Sequence, residues 1–277
     1  MSTTDLSQFP AIAFIGGGNM ASAIIGGLIA NGLPVAQITV VEPFEPAREA
    51  LSAKFGITAL PAATDALTGN DLVVWAVKPQ TFKEAALGVV AFTTQALHLS
   101  VAAGITTDSI AQWLGTGRIV RAMPNTPALV GKGMTGLFAR PEVDAQGQAL
   151  IERVIGTTGQ LVWVDAEDKL DAVTAMSGSG PAYVFLFLEA MTQAGVDMGL
   201  TSEQSYQLAV ATFQGATELA ARSDESASVL RERVTSKGGT TYAAITHMQQ
   251  AELPQHFIAA LRKAETRAKE LAVEFGK

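Results

Sequence analysis

The chain has 277 residues, 48% of them apolar, which is enough for one large or two ordinary domains with buried cores. Its 26 acidic and 19 basic residues leave a net charge of −7, with no basic run long enough to follow a phosphate backbone, so no nucleic-acid partner is expected. Cysteine is absent, which excludes disulfides, thiolate catalysis and zinc–thiolate sites.

Met1–Pro10 is polar and shows no basic region followed by an apolar run, so no secretory signal is expected. No uninterrupted apolar stretch approaches the roughly 20 residues of a membrane span, so no membrane partner and a cytoplasmic location are expected. Ala11–Ile15 is a short apolar run ending in glycine and predicts a buried parallel strand. Gly16, Gly17 and Gly18 follow, then an alanine-rich helix over Asn19–Ala30 that stops at Asn31-Gly32. Ile38–Glu42 predicts a second strand, Pro46–Phe55 a helix, and Asp71–Val77 a third strand closed by Lys78-Pro79. Leu97–Ala102 and Arg118–Met123 are further strand candidates. Strands alternating with short helices predict an α/β fold, a doubly wound parallel sheet with helices on both faces. From Asp168 the pattern becomes helical: Asp168–Met176, Ala182–Met198, Ser202–Ser223 and Pro254–Phe275, with Thr201 and Gln204 forming a capping box. The expected domains are therefore an α/β domain over residues 1–165 and an all-helical domain over residues 166–277.

Gly16-Gly17-Gly18-Asn19-Met20-Ala21 has the form G-x-G-x-x-A between a strand and a helix. In that context each small residue has a task. Gly16 permits the tight turn, Gly18 lets the backbone approach a pyrophosphate, and Ala21 allows close packing of helix on strand. The helix N-terminus adds free N–H groups and a partial positive charge, so a dinucleotide is the expected ligand. Glu42 ends the second strand, where a carboxylate accepts from both ribose hydroxyls and disfavours a 2′-phosphate; this leans towards NADH. Arg48, a few residues on, leaves NADPH open.

In a doubly wound sheet the ligand lies beyond the carboxyl ends of the strands. Ala76-Val77-Lys78-Pro79-Gln80 is such an end, and Pro79 holds Lys78 extended. Lys78 either brings its ammonium to a phosphate or ribose or is a surface lysine on a rigid turn. Ser100–Gly104 and Met123–Thr126 end later strands on the same side, and Asn125 and Thr126 are expected as hydrogen-bonding groups beside the nicotinamide.

In the helical half, Val234-Thr235-Ser236-Lys237-Gly238-Gly239-Thr240-Thr241 joins two helices. Two glycines and four hydroxyls at a helix start suit a carboxylate or other small anion, and exceed what an N-cap needs. Ser177-Gly178-Ser179-Gly180-Pro181 is expected to break and restart a helix, its small residues serving close packing. His98, His247 and His256 stand in no metal-ligand or nucleophile–base spacing. Asp165, Glu167, Asp168 and Asp171 cluster at a helix start, where the helix dipole accounts for them. No side chain stands out as a general acid, which argues against an ordinary hydroxy-acid dehydrogenase.

Five segments in this order resemble the pyrroline-5-carboxylate reductase family: Phe14–Met20, Ala76–Gln80, Arg121–Pro127, Ser177–Tyr183, and Val234–Ser236 with Gly238–Thr241. They span nearly the whole chain, and the last two are more specific than the glycine turn. The resemblance implies a Rossmann domain followed by a helical dimerisation domain, with homodimers that in some members assemble into decamers. It also implies reduction of the cyclic imine 1-pyrroline-5-carboxylate to L-proline by NADPH or NADH. On this sequence Val234, Ser236, Gly238, Gly239, Thr240 and Thr241 would hold the substrate carboxylate and ring. Gly16, Gly18, Asn19, Met20, Glu42, Ala76, Lys78, Pro79 and Asn125 would line the cofactor, and no metal is implied. Thr241 is the candidate for a hydrogen bond to the ring nitrogen. One departure is Lys237, where the family usually has proline; it regains an N–H and adds a cation. A reductase of another small imine, a β-hydroxyacid dehydrogenase of similar plan and a dinucleotide-sensing protein are the alternative readings.

Overall fold

The computed structural model describes residues 11–276; Met1–Pro10, on which the expectation about a secretory signal rests, and Lys277 lie outside the described residues. Among the described residues no helix is long and apolar enough to cross a membrane. The chain divides into two compact units, one running to Ser179 and including the residues from Ala264 onward, the other Gly180–Lys263.

The first unit holds seven strands: β1 Ile12–Ile15, β2 Ile38–Val41, β3 Leu72–Trp75, β4 Leu97–Ser100, β5 Ile119–Met123, β6 Gly133–Ala139 and β7 Gly159–Trp163. They form one sheet in the order β2-β1-β3-β4-β5-β6-β7. The first five are parallel, β6 is antiparallel to β5, and β7 is parallel to β6. The helices α1 Asn19–Ala30, α2 Glu45–Phe55, α3 Pro79–Val89, α4 Thr107–Leu114 and α5 Ala145–Gly156 connect them. Alternate residues of each strand enter opposite cores. Ile12, Phe14, Leu72, Val74 and Leu99 pack with Ile24, Ile25 and Leu28 of α1 and Ile151 and Val154 of α5. Ala13, Ile15, Val73 and Trp75 pack with Phe82 and Val89 of α3 and Ile110 and Trp113 of α4. Both faces being apolar, these strands read as unbroken apolar runs. Each large aliphatic side chain taken fully from water contributes roughly 1.5–3 kcal/mol.

Strands β6 and β7 were not expected from the sequence, because glycine weakens a strand signal. Those glycines answer to packing. A Cβ on Gly133 would lie 2.9 Å from the Thr158 carbonyl oxygen, and one on Gly136 would lie 2.7 Å from Val173 Cγ1. The expected break within Ser177–Pro181 falls at Ser179, between a π-helical turn and a helix that restarts at Gly180 with Pro181 in its first turn. α6 Lys169–Val173 continues through a π-helical turn over Thr174–Gly178, closed by Ser179 N–H donating to the Thr174 carbonyl at 2.8 Å. The small residues do serve packing, since a Cβ on Gly178 would lie 2.5 Å from Met123 Cε.

The carboxylates before α6 do more than complement a dipole. Glu167 accepts from Thr107 N–H at 2.8 Å, from Thr107 Oγ1 at 2.5 Å and from buried Arg121 at 2.8 Å. It therefore ties the start of α4 and strand β5 to the approach to α6. Asp171 is buried on α6, and that burial raises its pKa above the ordinary carboxylate value. Asp165 is exposed and pairs with Lys169 at 2.5 Å.

The second unit is helical: α7 Gly180–Asp197, α8 Ser202–Ala221, α9 Ala227–Arg233, α10 Thr240–Gln250 and the first part of α11 Leu253–Phe275. The capping box forms at α8, with Gln204 N–H donating to Thr201 Oγ1 at 3.1 Å and Thr201 N–H to Gln204 Oε1 at 3.0 Å. α7 and α8 pack closely at Gly195, where a Cβ would collide with the Ser205 side chain. Phe187 gathers Phe213 and Phe257, with ring centroids 6.4 and 5.9 Å away. Phe185, Leu186, Tyr206 and Leu208 remain exposed.

His98 lies inside β4 and is 1% exposed, its Nδ1 accepting from Trp75 Nε1 at 3.1 Å. Burial disfavours the imidazolium and lowers the pKa to about 4 from 6.5. Between those values the unfolded chain binds the proton and the folded chain does not, so stability falls as pH falls through this window. The full loss is roughly 3 kcal/mol once pH is below the folded pKa. Urea melts of wild type and His98→Gln at pH 7.5 and 4.5 should show a smaller pH-dependent loss in the variant. Equal losses would place the acid sensitivity elsewhere.

Candidate active site

The sheet order sets where a ligand meets the first unit. From β1 the chain moves to β2 on one side and then to β3 on the other, so the β1 and β3 carboxyl ends flank a topological switch point. Gly16 follows β1 with φ +95°, and its N–H donates to the Val41 carbonyl at 2.8 Å. A Cβ on Gly16 would lie 2.6 Å from the Ala76 carbonyl oxygen, so only glycine lets the two strand ends meet. Gly17, to which the sequence assigned no task, is confined more loosely: its Cβ would lie 2.6 Å from Leu51 Cδ1, the tip of a side chain that can shift. Gly18 is the opposite, exposed and with nothing within 4 Å of a Cβ.

Gly18 caps α1 without a side-chain hydrogen bond, and the first turn holds no acidic residue. The first helical bond is Ser22 N–H to the Gly18 carbonyl at 2.9 Å, so the amides of Asn19, Met20 and Ala21 precede the helical ladder. Open space at Gly18 beside these amides fits a pyrophosphate. α3 begins likewise across the switch point: Lys78 is its extended N-cap, with φ −66° and ψ 147°, and Pro79 opens the helix. The Lys78 side chain is exposed, and among the described residues it makes no ion pair.

Glu42 is held where β2 ends. Its Oε2 accepts from Gly17 N–H and its Oε1 from Phe44 N–H, each at 2.8 Å. Arg48 turns back to donate to the carbonyls of Glu42 at 3.1 Å and Pro43 at 2.6 Å. Asn125, beyond β5, has its side-chain amide committed within the protein: Nδ2 donates to the Ser177 carbonyl and Ser177 Oγ at 3.1 Å each, and Oδ1 accepts from Met134 N–H at 2.9 Å. Thr126 is exposed at the start of a 3₁₀ turn over Thr126–Val130.

In the second unit Val234–Thr241 links α9 to α10. Gly239 N–H donates to the Ser236 carbonyl at 3.0 Å and Gly238 has φ +77°, the signature of a type II turn with Lys237 at its second position. Proline is favoured at that position, and Gly238 keeps the turn with lysine there. Thr235 Oγ1 donates to the Arg231 carbonyl at 2.6 Å, so one of the four hydroxyls serves the end of α9. Among the described residues the hydroxyls of Ser236, Thr240 and Thr241 have no internal partner. Gly239 caps α10 without a side-chain bond, and the ladder begins with Ala243 N–H to the Gly239 carbonyl at 3.1 Å. The turn therefore offers the Thr240, Thr241 and Tyr242 amides and three hydroxyls, as an anion with hydrogen-bonding neighbours requires. Val234 is 64% exposed beside them.

The Lys237 geometry makes a direct prediction. Lys237→Pro should raise stability by about 0.4–1 kcal/mol through the unfolded chain while leaving turnover intact. A chemical-denaturation midpoint lower than wild type would show that the turn departs from type II.

Two family models match the chain. Residues 11–104 match a model described as NADP oxidoreductase, coenzyme F420-dependent, and residues 167–271 match one described as pyrroline-5-carboxylate reductase dimerisation. A pyrroline-5-carboxylate reductase of Pseudomonas aeruginosa is 42% identical over 269 residues, covering 96% of this chain and 98% of that protein. The solved pyrroline-5-carboxylate reductase of Coxiella burnetii superposes with a TM-score of 0.89 at 40% identity, covering 96% of this chain and 99% of that one. The Plasmodium falciparum pyrroline carboxylate reductase, solved with NADP bound, gives 0.83 at 25% identity over 95% and 98%. A glycine turn between strand and helix, a match to the dimerisation model and 42% identity over nearly the whole chain agree: the chain belongs to the pyrroline-5-carboxylate reductase family, NAD(P)-dependent oxidoreductases.

Proposed function

We propose that this chain reduces the C=N bond of 1-pyrroline-5-carboxylate to give L-proline. The Ser236–Thr241 turn carries the proposal: it offers amides and neutral hydroxyls to an anionic ring and contains no strong acid. The Ser236–Thr240 segment holds the carboxylate, with Val234, Gly238 and Gly239 shaping the turn around it. Thr241 Oγ orients the ring nitrogen. Gly16 and Gly18 keep the first-unit turn open, and the amides of Asn19 and Met20 hold the pyrophosphate. Ala76, Lys78 and Pro79 line the opposite wall of the switch point. NADH or NADPH, when bound, supplies the hydride that C5 of the imine accepts, while the nitrogen takes its proton from solvent or arrives protonated. The protein's contribution is orientation of two bound reactants, for which no dedicated acid is required.

Glu42 tilts the nucleotide choice towards NADH. Its carboxylate is already fixed by two backbone amides, and Arg48 faces backbone carbonyls instead of the place a 2′-phosphate would take. Residues 166–277, which comprise the second compact unit and the segments that flank it in the chain, form the substrate and dimerisation module within this proposal; the dimerisation model beginning at residue 167 and the exposed apolar side chains of α7 and α8 support a homodimer. A decamer and a cytoplasmic location complete the proposal, and a chain without cysteine has no need of an oxidising compartment.

Steady-state assay of pyrroline-5-carboxylate with NADH and NADPH side by side is the direct test, and no turnover with either would refute the proposed reaction. A higher kcat/KM with NADH is expected. Glu42→Gln should move the ratio towards NADPH by about tenfold, as removal of a charge near a phosphate predicts. Thr241→Ala should lower kcat by about a hundredfold with cofactor affinity unchanged. Full turnover in that variant would remove Thr241 from the mechanism.

A further inference from the structure

Asn125 was expected to bond the nicotinamide, yet its amide is spent on the protein. Both Nδ2 contacts go to Ser177, and Oδ1 takes Met134 N–H. Ser177 Oγ closes the circuit by donating to the Met134 carbonyl at 3.4 Å. Three segments are thereby joined: the corner after β5, the start of β6 and the π-helical turn.

The sequence creates the need for this circuit. In an α-helix the Ser177 carbonyl would accept from residue 181, but that residue is Pro181, which has no N–H. The turn widens to π register at Thr174–Gly178, and Asn125 supplies a donor to the carbonyl that proline leaves without one. Pro124 and Pro127 stiffen the corner on either side, and Gly178 brings the π turn against Met123. Single-turn π insertions recur at functional sites because they re-aim the residues around them. Here the re-aimed segment meets the carboxyl end of β5, on the side where a doubly wound sheet takes its ligand.

We infer that Asn125 is a positioning residue: through Ser177 and Met134 it holds the β5 corner and the π turn as one rigid wall for the reduced nicotinamide. The inference rests on the reductase reading above. Asn125 fixes the geometry of hydride transfer without contributing to the binding of either reactant.

The test compares wild type, Asn125→Asp and Ser177→Ala in the full chain. Asn125→Asp keeps the acceptor for Met134 and loses both donors to Ser177; Ser177→Ala loses the hydroxyl and keeps the carbonyl contact. The readouts are kcat, KM for pyrroline-5-carboxylate, NADH affinity, melting temperature and the primary deuterium isotope effect with C4-deuterated NADH. Asn125→Asp should lose about a hundredfold in kcat, the scale of a small misplacement of reacting atoms. Its isotope effect should rise as hydride transfer becomes rate-limiting, with KM and NADH affinity within about threefold of wild type. Ser177→Ala should show the same pattern more weakly, and it carries the test if Asn125→Asp does not fold. A kcat within about twofold of wild type in a folded Asn125→Asp, or a kcat loss matched by an equal loss of NADH affinity, would overturn the inference. Emission lifetime of bound NADH gives a readout that needs no substrate: a shorter lifetime in both variants supports the wall, and an unchanged one overturns it. Wild type inactive on pyrroline-5-carboxylate would refute the reaction, and the lifetimes would still judge the wall.

Discussion

At the carboxyl ends of β1 and β3 the main chain passes so close to itself that no side chain fits between. Gly16 lies against the Ala76 carbonyl. This closeness is what puts the amino ends of α1 and α3 on either side of one crevice, α1 led by unpaired amides and α3 by Lys78 and Pro79. It also brings Gly17 N–H within reach of Glu42, so the glycine turn and the carboxylate at the end of β2 are parts of one hydrogen-bonded unit. A methyl group at Gly16 would separate them all.

The remainder of the first unit keeps that crevice rigid with buried polar ties. Glu167 satisfies Arg121 and both donors of Thr107, joining β5, α4 and the approach to α6. A buried guanidinium left without its carboxylate would be strongly unfavourable, which accounts for the closeness of the match. Asn125 does similar work one turn further on, where Pro181 has removed a helical donor. Hydrophobic burial holds the sheet together, but these directional contacts decide where its carboxyl edge stands.

The two glycine-capped turns follow one principle in different settings. Each precedes a helix whose N-cap is a glycine without a side-chain bond, Gly18 before α1 and Gly239 before α10. Glycine at the cap leaves the amides for a ligand instead of consuming them. The turns differ in their surroundings: the first has a carboxylate fixed beside it, suited to sugar hydroxyls, and the second has free hydroxyls and Lys237, suited to an anion.

The sequence by itself determined the parallel strands, the glycine turn, the helical second half with its capping box at Thr201, and the candidate residues at both turns. These are local matters: apolar runs, glycine and proline positions, and capping residues act over a few neighbours. Only the tertiary structure decided what depends on distant segments. Gly133 and Gly136 hid β6 because their small size answers to Thr158 and Val173. Glu167 looked like a helix-dipole residue until Thr107 and Arg121, at least 46 positions away, arrived as its partners. Asn125 reads in the sequence as a candidate ligand contact, and only the fold shows that Ser177, 52 positions on, accepts from its amide. A polar side chain's type states what it can bond; which partner reaches it first is settled by the fold.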